Sequence, residues 1–133
     1  MLAARGFNDS RGQLFVLENG KEIPFLVKRV YYITGVDDIT IERGFHAHKK
    51  LYQVMFCTGG SCEVTLDNGH ERETILLDSS DKCIYVKPNI WRELRRFSSP
   101  SATLVVLASE VYDETDYIRN YEEFLQYVRD LKL

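Results

Sequence analysis

Arg43-Gly44-Phe45-His46-Ala47-His48, followed by Gln53 and then by Gly59-Gly60, is the stretch that decides how this chain is read. Two of its three histidines stand two residues apart. On a strand, positions i and i+2 point to the same face, so both imidazoles project the same way. The flanking chain is a series of short β-type segments punctuated by turns, which makes the interior of a barrel the informative direction. Paired imidazoles in a barrel mouth serve one of two purposes: they hold a metal, or they move protons near neutral pH.

Working outward, Asp67-Asn68-Gly69 is the clearest hairpin signal, since these residues tolerate the positive φ of a tight turn. Segments 61–66 and 72–77 pair across it. Asn19-Gly20 precedes a β-branched run from Ile23 to Ile33, read as a strand. Residues 35–40 form an acidic loop. Further strands are expected at 44–48, 51–57, 83–87 and 91–97. The continuous apolar run 102–109 suits a strand buried on both faces. Asp113 to Asp116 has the composition of a helix cap. Tyr117, Tyr121, Phe124, Leu125, Val128 and Leu131 then recur at helical spacing. The sequence thus predicts an all-β chain, a small antiparallel double-sheet barrel of jelly-roll type, with a C-terminal helix over about 114–131 and one domain spanning 1–133.

Composition narrows the function. The chain has 133 residues and a net charge of −3, which argues against a nucleic-acid partner. No apolar run approaches the roughly 20 residues of a membrane span, and the first residues lack the apolar stretch of a signal peptide. Cys57, Cys62 and Cys83 are odd in number and lack C-x-x-C spacing, so they read as reduced, buried thiols of a cytoplasmic protein.

The motif order resembles the cupin pattern of H-x-H, an acidic residue and a glycine, here His46-Ala47-His48, Gln53 and Gly60. A metal-binding cupin usually has Glu where Gln53 stands and adds a histidine after a proline-containing turn. The matching segment here, Pro88-Asn89-Ile90-Trp91-Arg92-Glu93, has none. Glu93 serves as a ligand only if it points inward, and His70, beside the hairpin turn, reads as a surface residue. With about three protein ligands needed for a catalytic metal, acid–base use of the histidines without a metal or other cofactor is the expectation.

A wider resemblance runs from about Ile23 to the C-terminus. Lys28-Arg29-Val30-Tyr31-Tyr32, the 43–50 segment, Trp91-Arg92-Glu93, 104–109 and Tyr112 to Tyr121 are similar to the nucleotide-sugar 3,4-ketoisomerases, the WxcM-like cupins that act on dTDP-4-keto-6-deoxyglucose in deoxysugar biosynthesis. The resemblance implies a homodimer with exchanged N-terminal strands, a dTDP-linked 4-keto-6-deoxy sugar as partner, and no metal in catalysis. It assigns His46 as main base, His48 as relay and Tyr31 as the phenol that contacts the sugar. The diphosphate calls for arginine; Arg43 is best placed, with Arg29 and Arg92 as further substrate-binding candidates beside Gln53, and Arg95 also considered. A metal-dependent, dioxygenase-like cupin and a non-catalytic sugar-binding cupin remain the alternatives.

Overall fold

The computed structural model describes residues 1–132. Two five-stranded antiparallel sheets face each other. The first contains β1 (Leu2–Ala3), β4 (Arg29–Ile33), β6 (Gln53–Thr58), β9 (Lys82–Val86) and β11 (Thr103–Ala108), in the order β1-β9-β6-β11-β4. The second contains β5 (Arg43–His48), β7 (Cys62–Asp67), β8 (Arg72–Leu77), β10 (Trp91–Arg95) and β12 (Tyr117–Ile118), in the order β12-β5-β10-β7-β8. A separate hairpin, β2 (Arg5–Asp9) with β3 (Gly12–Val16), completes the β structure. The expected all-β barrel with one terminal helix is what the chain forms.

Alternation explains the core. Met55 and Cys57 of β6, Leu104 and Val106 of β11, and Ile84 and Val86 of β9 turn inward to meet Val64 of β7, Leu77 of β8 and Leu94 of β10. Burying each such aliphatic side chain contributes about 1.5–3 kcal/mol. A second cluster lies outside the second sheet, where α1 (Tyr121–Leu131) lays Phe124 and Val128 over Ala47 and Trp91. Asn120 caps that helix by accepting the Glu123 N–H at 3.0 Å. The three cysteines are free and buried, and His70 is exposed. No helix among the described residues is long and apolar enough to cross a membrane.

Three expectations need correction. The helix starts at Tyr121, not near 114. Asp113 does act as a cap, accepting from Thr115 N–H at 3.0 Å, but it caps only one 3-10 turn over Glu114–Asp116. Tyr117 and Ile118 then pair with His48 and Ala47 as an edge strand, and that pairing excludes helix. Tyr117 therefore leaves the helical stripe. Second, the strand read over 23–33 is regular only from Arg29; Pro24 lacks an N–H, and Phe25 and Val27 lie across the outer face of the first sheet. Third, β11 is not buried on both faces within the chain: Thr103, Val105 and Leu107 are half-exposed on its outer side. The strand expected at 44–48 is present as β5, but it is irregular at its start. Arg92 pairs with His46, but Glu93 pairs with Gly44, which leaves Phe45 as an extra residue. Gly44 and Phe45 both take left-handed backbone, with φ of 88° and 57°. This bulge sits immediately before His46 and sets the phase of both histidines.

The turn from β6 to β7 depends on Gly59. Its φ is +72°, and a Cβ there would lie 2.5 Å from the backbone oxygen of Ser101. Gly59→Ala is expected to destabilise the fold by at least about 1–2 kcal/mol from the backbone preference alone, with the clash adding to it. Urea denaturation at neutral pH measures this; an unchanged midpoint would show that the turn relaxes freely.

Candidate active site

The site is built around Arg92, which is only 1% exposed. Register explains its placement, because β10 lies beside β5 and Arg92 is directly opposite His46. A buried guanidinium needs hydrogen-bond acceptors. Arg92 donates to Gln53 Oε1 and, at 3.2 Å, to the carbonyl of Ile90. Since guanidinium only donates, the Gln53 amide must present its oxygen to Arg92 and its NH2 group elsewhere. That group donates to the Tyr31 hydroxyl at 2.8 Å. Tyr31 accepts, so its own proton is free to be donated onward. Burial pushes the Tyr31 phenol above its ordinary range, and the Arg92 charge only partly opposes this. Tyr31 is thus a protonated donor at neutral pH.

His46 and His48 share one face of β5, with ring centroids 4.9 Å apart and planes at 88°. Tyr117 packs on both, 5.0 Å from His46 and 4.4 Å from His48. Both ring nitrogens of His46, and Nε2 of His48, are buried without a partner among the described residues. His48 Nδ1 lies 3.1 Å from Asp116 Oδ2. Burial lowers His46 to a pKa of about 4, with the Arg92 charge second. It lowers His48 to about 2, again with Arg92 second and His46 third. Both imidazoles are neutral bases in the free protein at pH 7.

A cavity of about 380 Å³ opens between the sheets onto His46, Tyr31, Tyr117 and Met55. Arg29, Arg43, Arg92 and Arg119 also line it, and no carboxylate does. Such a concentration of one charge in a cleft favours an anion. Arg29 stacks on Tyr31 at 5.3 Å, and its buried Nε has no partner. Arg43 is exposed at the mouth. Arg119 lies 4.2 Å over the Tyr117 ring and is held by Glu114 at 2.8 Å. A larger hollow of about 580 Å³ lies near the N-terminal hairpin, but it is lined by Phe15, Leu17 and Phe56 and gathers no titratable group.

The metal question has a geometric side. No group of three or more His, Cys, Asp or Glu side chains among the described residues converges as a cation site. Gln53 is committed to Arg92 and Tyr31. Glu93 faces out of the barrel, bonded to Trp91 Nε1 at 3.0 Å and Arg95 at 2.6 Å. The adjacent guanidinium of Arg92 also repels a cation.

The model of the family described as "FdtA: WxcM-like, C-terminal" matches residues 1–129. The chain belongs to that family. Among its relatives, a TDP-4-oxo-6-deoxy-α-D-glucose-3,4-oxoisomerase of Aneurinibacillus thermoaerophilus is 50% identical over 125 residues, 94% of this chain and 88% of that protein. A 3,4-ketoisomerase from Helicobacter canadensis superposes with a TM-score of 0.92 at 46% identity, covering 97% of this chain and 96% of the other. The sugar 3,4-ketoisomerase QdtA of Thermoanaerobacterium thermosaccharolyticum, solved with TDP, gives 0.93 at 42% identity, covering 99% and 95%.

In this WxcM-like chain the structure brings His46, His48, Tyr31, Gln53 and Arg92 into one connected group, with Arg29 and Arg43 on the cavity wall. Arg92 lies deep beside the imidazoles rather than at the mouth. Arg95 is spent on Glu93 and on Glu42, at 2.6 and 3.1 Å. Sequence reading missed Asp116, Tyr117 and Arg119. The available signal was Asn120-Tyr121-Glu122-Glu123, a capping-box pattern that starts the helix at 121 and frees 117–119 for another conformation.

Neutral buried histidines make stability depend on pH. The unfolded chain binds protons at these residues from about pH 6.5 downward, whereas folded His46 does so only near 4 and His48 near 2. The unfolded state therefore holds more protons across that window, and folding stability falls as pH falls from about 6.5. Each histidine contributes a slope approaching about 1.4 kcal/mol per pH unit. Urea unfolding at pH 7, 6 and 5 should show the loss, and His46→Asn should reduce its slope by about half. A slope unaltered by that substitution would mean that His46 is not buried as a neutral base.

Proposed function

We propose that this chain is a TDP-sugar 3,4-ketoisomerase that converts TDP-4-keto-6-deoxyglucose to a TDP-3-keto-6-deoxyhexose. The observation that carries the reading is the convergence of a neutral, unpartnered His46, a proton-donating Tyr31 and the Arg92 charge on one anion-attracting cavity, in a chain whose relatives bear that activity in their names.

The chemistry follows from the residues. The C4 ketone acidifies the C3 hydrogen. His46 takes that proton and breaks the C3–H bond, and the electron pair forms the C3–C4 double bond of an enediolate with its charge on O4. Tyr31 donates to the developing oxyanion, while buried Arg92 stabilises it in a site of low dielectric. The proton on His46 returns to C4 and the electron pair of the O3–H bond forms the C3 carbonyl; Tyr31 gives its proton to O4 and takes the O3 proton in exchange, so the product carries a C4 hydroxyl and Tyr31 ends as it began. A base of low pKa removes carbon-bound protons weakly on its own. Negative charge on the enediolate and on the diphosphate raises the proton affinity of the imidazoles at the moment it is needed. Arg29, Arg43 and Arg119 hold the diphosphate. The face of the enediolate that receives the proton sets C4 as gluco or galacto.

The active form is a homodimer in the cytoplasm. Outward-facing Val30 and Tyr32 of β4 are 57% and 66% exposed, and half-exposed Val105 and Leu107 extend the same apolar face of the first sheet. A patch of this kind calls for a partner, and a second copy is self-complementary across a two-fold axis. β1 is held to β9 by two residue pairs, so a partner's β1 replaces it without altering the rest of the sheet. Light scattering is expected to give twice the 15.5 kDa chain mass; Val30→Glu with Tyr32→Glu should give monomer.

Activity is tested by incubating the protein with TDP-4-keto-6-deoxyglucose in deuterated water containing a chelator and following the product by proton NMR. The 3-keto product and loss of the C3 proton signal are expected. His46→Asn keeps a polar side chain but no base, and is expected to bind TDP normally while turnover falls about 10²–10⁴-fold or more. A His46→Asn protein that still exchanges C3 at the wild-type rate places the base elsewhere. Turnover that needs an added divalent metal restores the dioxygenase-like alternative.

A further inference from the structure

The two histidines line different cavities. His46 lines the arginine-lined cavity above. His48, its ring 4.9 Å away, lines a second cavity of about 180 Å³ together with Asp116, Lys50, Glu110, Val111 and Asp113, among others. Arg29 and Tyr117 line both. The second cavity has room for several water molecules and offers them polar walls.

Asp116 is fixed in the partition with unusual completeness. Its Oδ1 accepts the Lys50 N–H at 2.8 Å, and its Oδ2 lies 3.1 Å from His48 Nδ1. Its own carbonyl accepts the Lys49 N–H at 3.0 Å, and its N–H donates to Asp113 at 3.1 Å. Both carboxylate oxygens and both backbone groups are thus engaged, and the 3-10 turn is stapled to the end of β5. An ionised carboxylate only accepts, so it selects the His48 tautomer with hydrogen on Nδ1. The lone pair is then on Nε2, which is buried, unpartnered and on the ring that faces His46.

We propose that Asp116 is the positioning residue of a proton relay, His46 to His48 to Asp116, that opens to water through this second cavity rather than through the substrate cavity. The inference rests on the ketoisomerase reading of His46. The two imidazoles pack at 4.9 Å without a hydrogen bond between them, so a proton taken from C3 by His46 passes to His48 Nε2 through a bridging water or after a ring rotation; the Nδ1 proton passes to Asp116 and from there to water, and the reverse sequence recharges the pair. No electrons change hands, and each group regains its starting state. The substrate cavity can then stay closed to solvent while the C3 proton still exchanges with it.

The test uses substrate deuterated at C3, turned over in ordinary water by wild type and by Asp116→Asn. For the variant, TDP affinity within about twofold of wild type is expected, with kcat lower by at least about 10²-fold, because an amide can donate to Nδ1 and impose the wrong tautomer. The fraction of product that retains deuterium at C4 should rise, since the route for washing it out is cut. A purely structural role would lower kcat without changing that fraction; this result, or kcat and retention both within twofold of wild type, overturns the relay. If wild type itself forms no 3-keto sugar, the ketoisomerase reading fails, not the relay geometry. That geometry is decided independently by ¹⁵N NMR of the wild-type histidines at pH 7. Protonated Nδ1 and bare Nε2 on His48 support the relay, and protonated Nε2 overturns it, whether or not Asp116→Asn folds.

Discussion

One buried charge organises this molecule. Arg92 is held inside the barrel with no carboxylate against it, and the cost of that arrangement is met by a neutral amide and a backbone carbonyl. Removing a charge from water without a counterion is expensive, so the positive potential is not cancelled but kept. Everything nearby responds to it. Gln53 is oriented by it, Tyr31 is oriented by Gln53, and the two imidazoles are held neutral partly by it. The same unscreened charge makes the cavity attractive to an anion and hostile to a metal cation.

Backbone geometry serves that arrangement. The extra residue at Phe45 places two successive residues in left-handed conformation just before His46. A bulky residue there carries strain, and strain persists only where surrounding structure over-determines it. Here Gly44 lies against the backbone of β10, with a Cβ at that position 3.1 Å from the Arg92 carbonyl. The bulge therefore couples the approach of β5 to β10 with the aim of His46, so the strand that carries Arg92 also positions that imidazole.

Much of this was legible in sequence because it is local. The H-x-H spacing, the Asn68-Gly69 hairpin and the alternation within each strand depend on neighbours along the chain, and these gave the barrel, the shared face of His46 and His48, and the turn at Gly59-Gly60. What escaped depends on partners far apart. Asp116 meets His48 across 68 positions, and Tyr117 is a strand only because the edge of β5 is available to it. Aromatic spacing in Tyr117, Tyr121 and Phe124 is compatible with a helix, so periodicity alone could not detect that the first of them is used otherwise. The depth of Arg92 was hidden for the same reason: a guanidinium in a strand reads as surface or ligand-binding until β6 of the facing sheet supplies Gln53.

Position 53 shows how small a change separates two uses of one barrel. A glutamate there would present two acceptor oxygens, neutralise Arg92 and join His46 and His48 as a third donor, which is the composition of a metal site. The amide replaces one oxygen with a donor group. That single exchange leaves the Arg92 charge standing, turns one end of residue 53 toward Tyr31 as a donor, and so leaves the phenol proton free to be donated elsewhere. It also withholds the third ligand. Proton chemistry and metal chemistry are thus alternatives governed by whether residue 53 can cancel the buried charge, because a cation and an uncompensated guanidinium cannot share the space beside two neutral imidazoles.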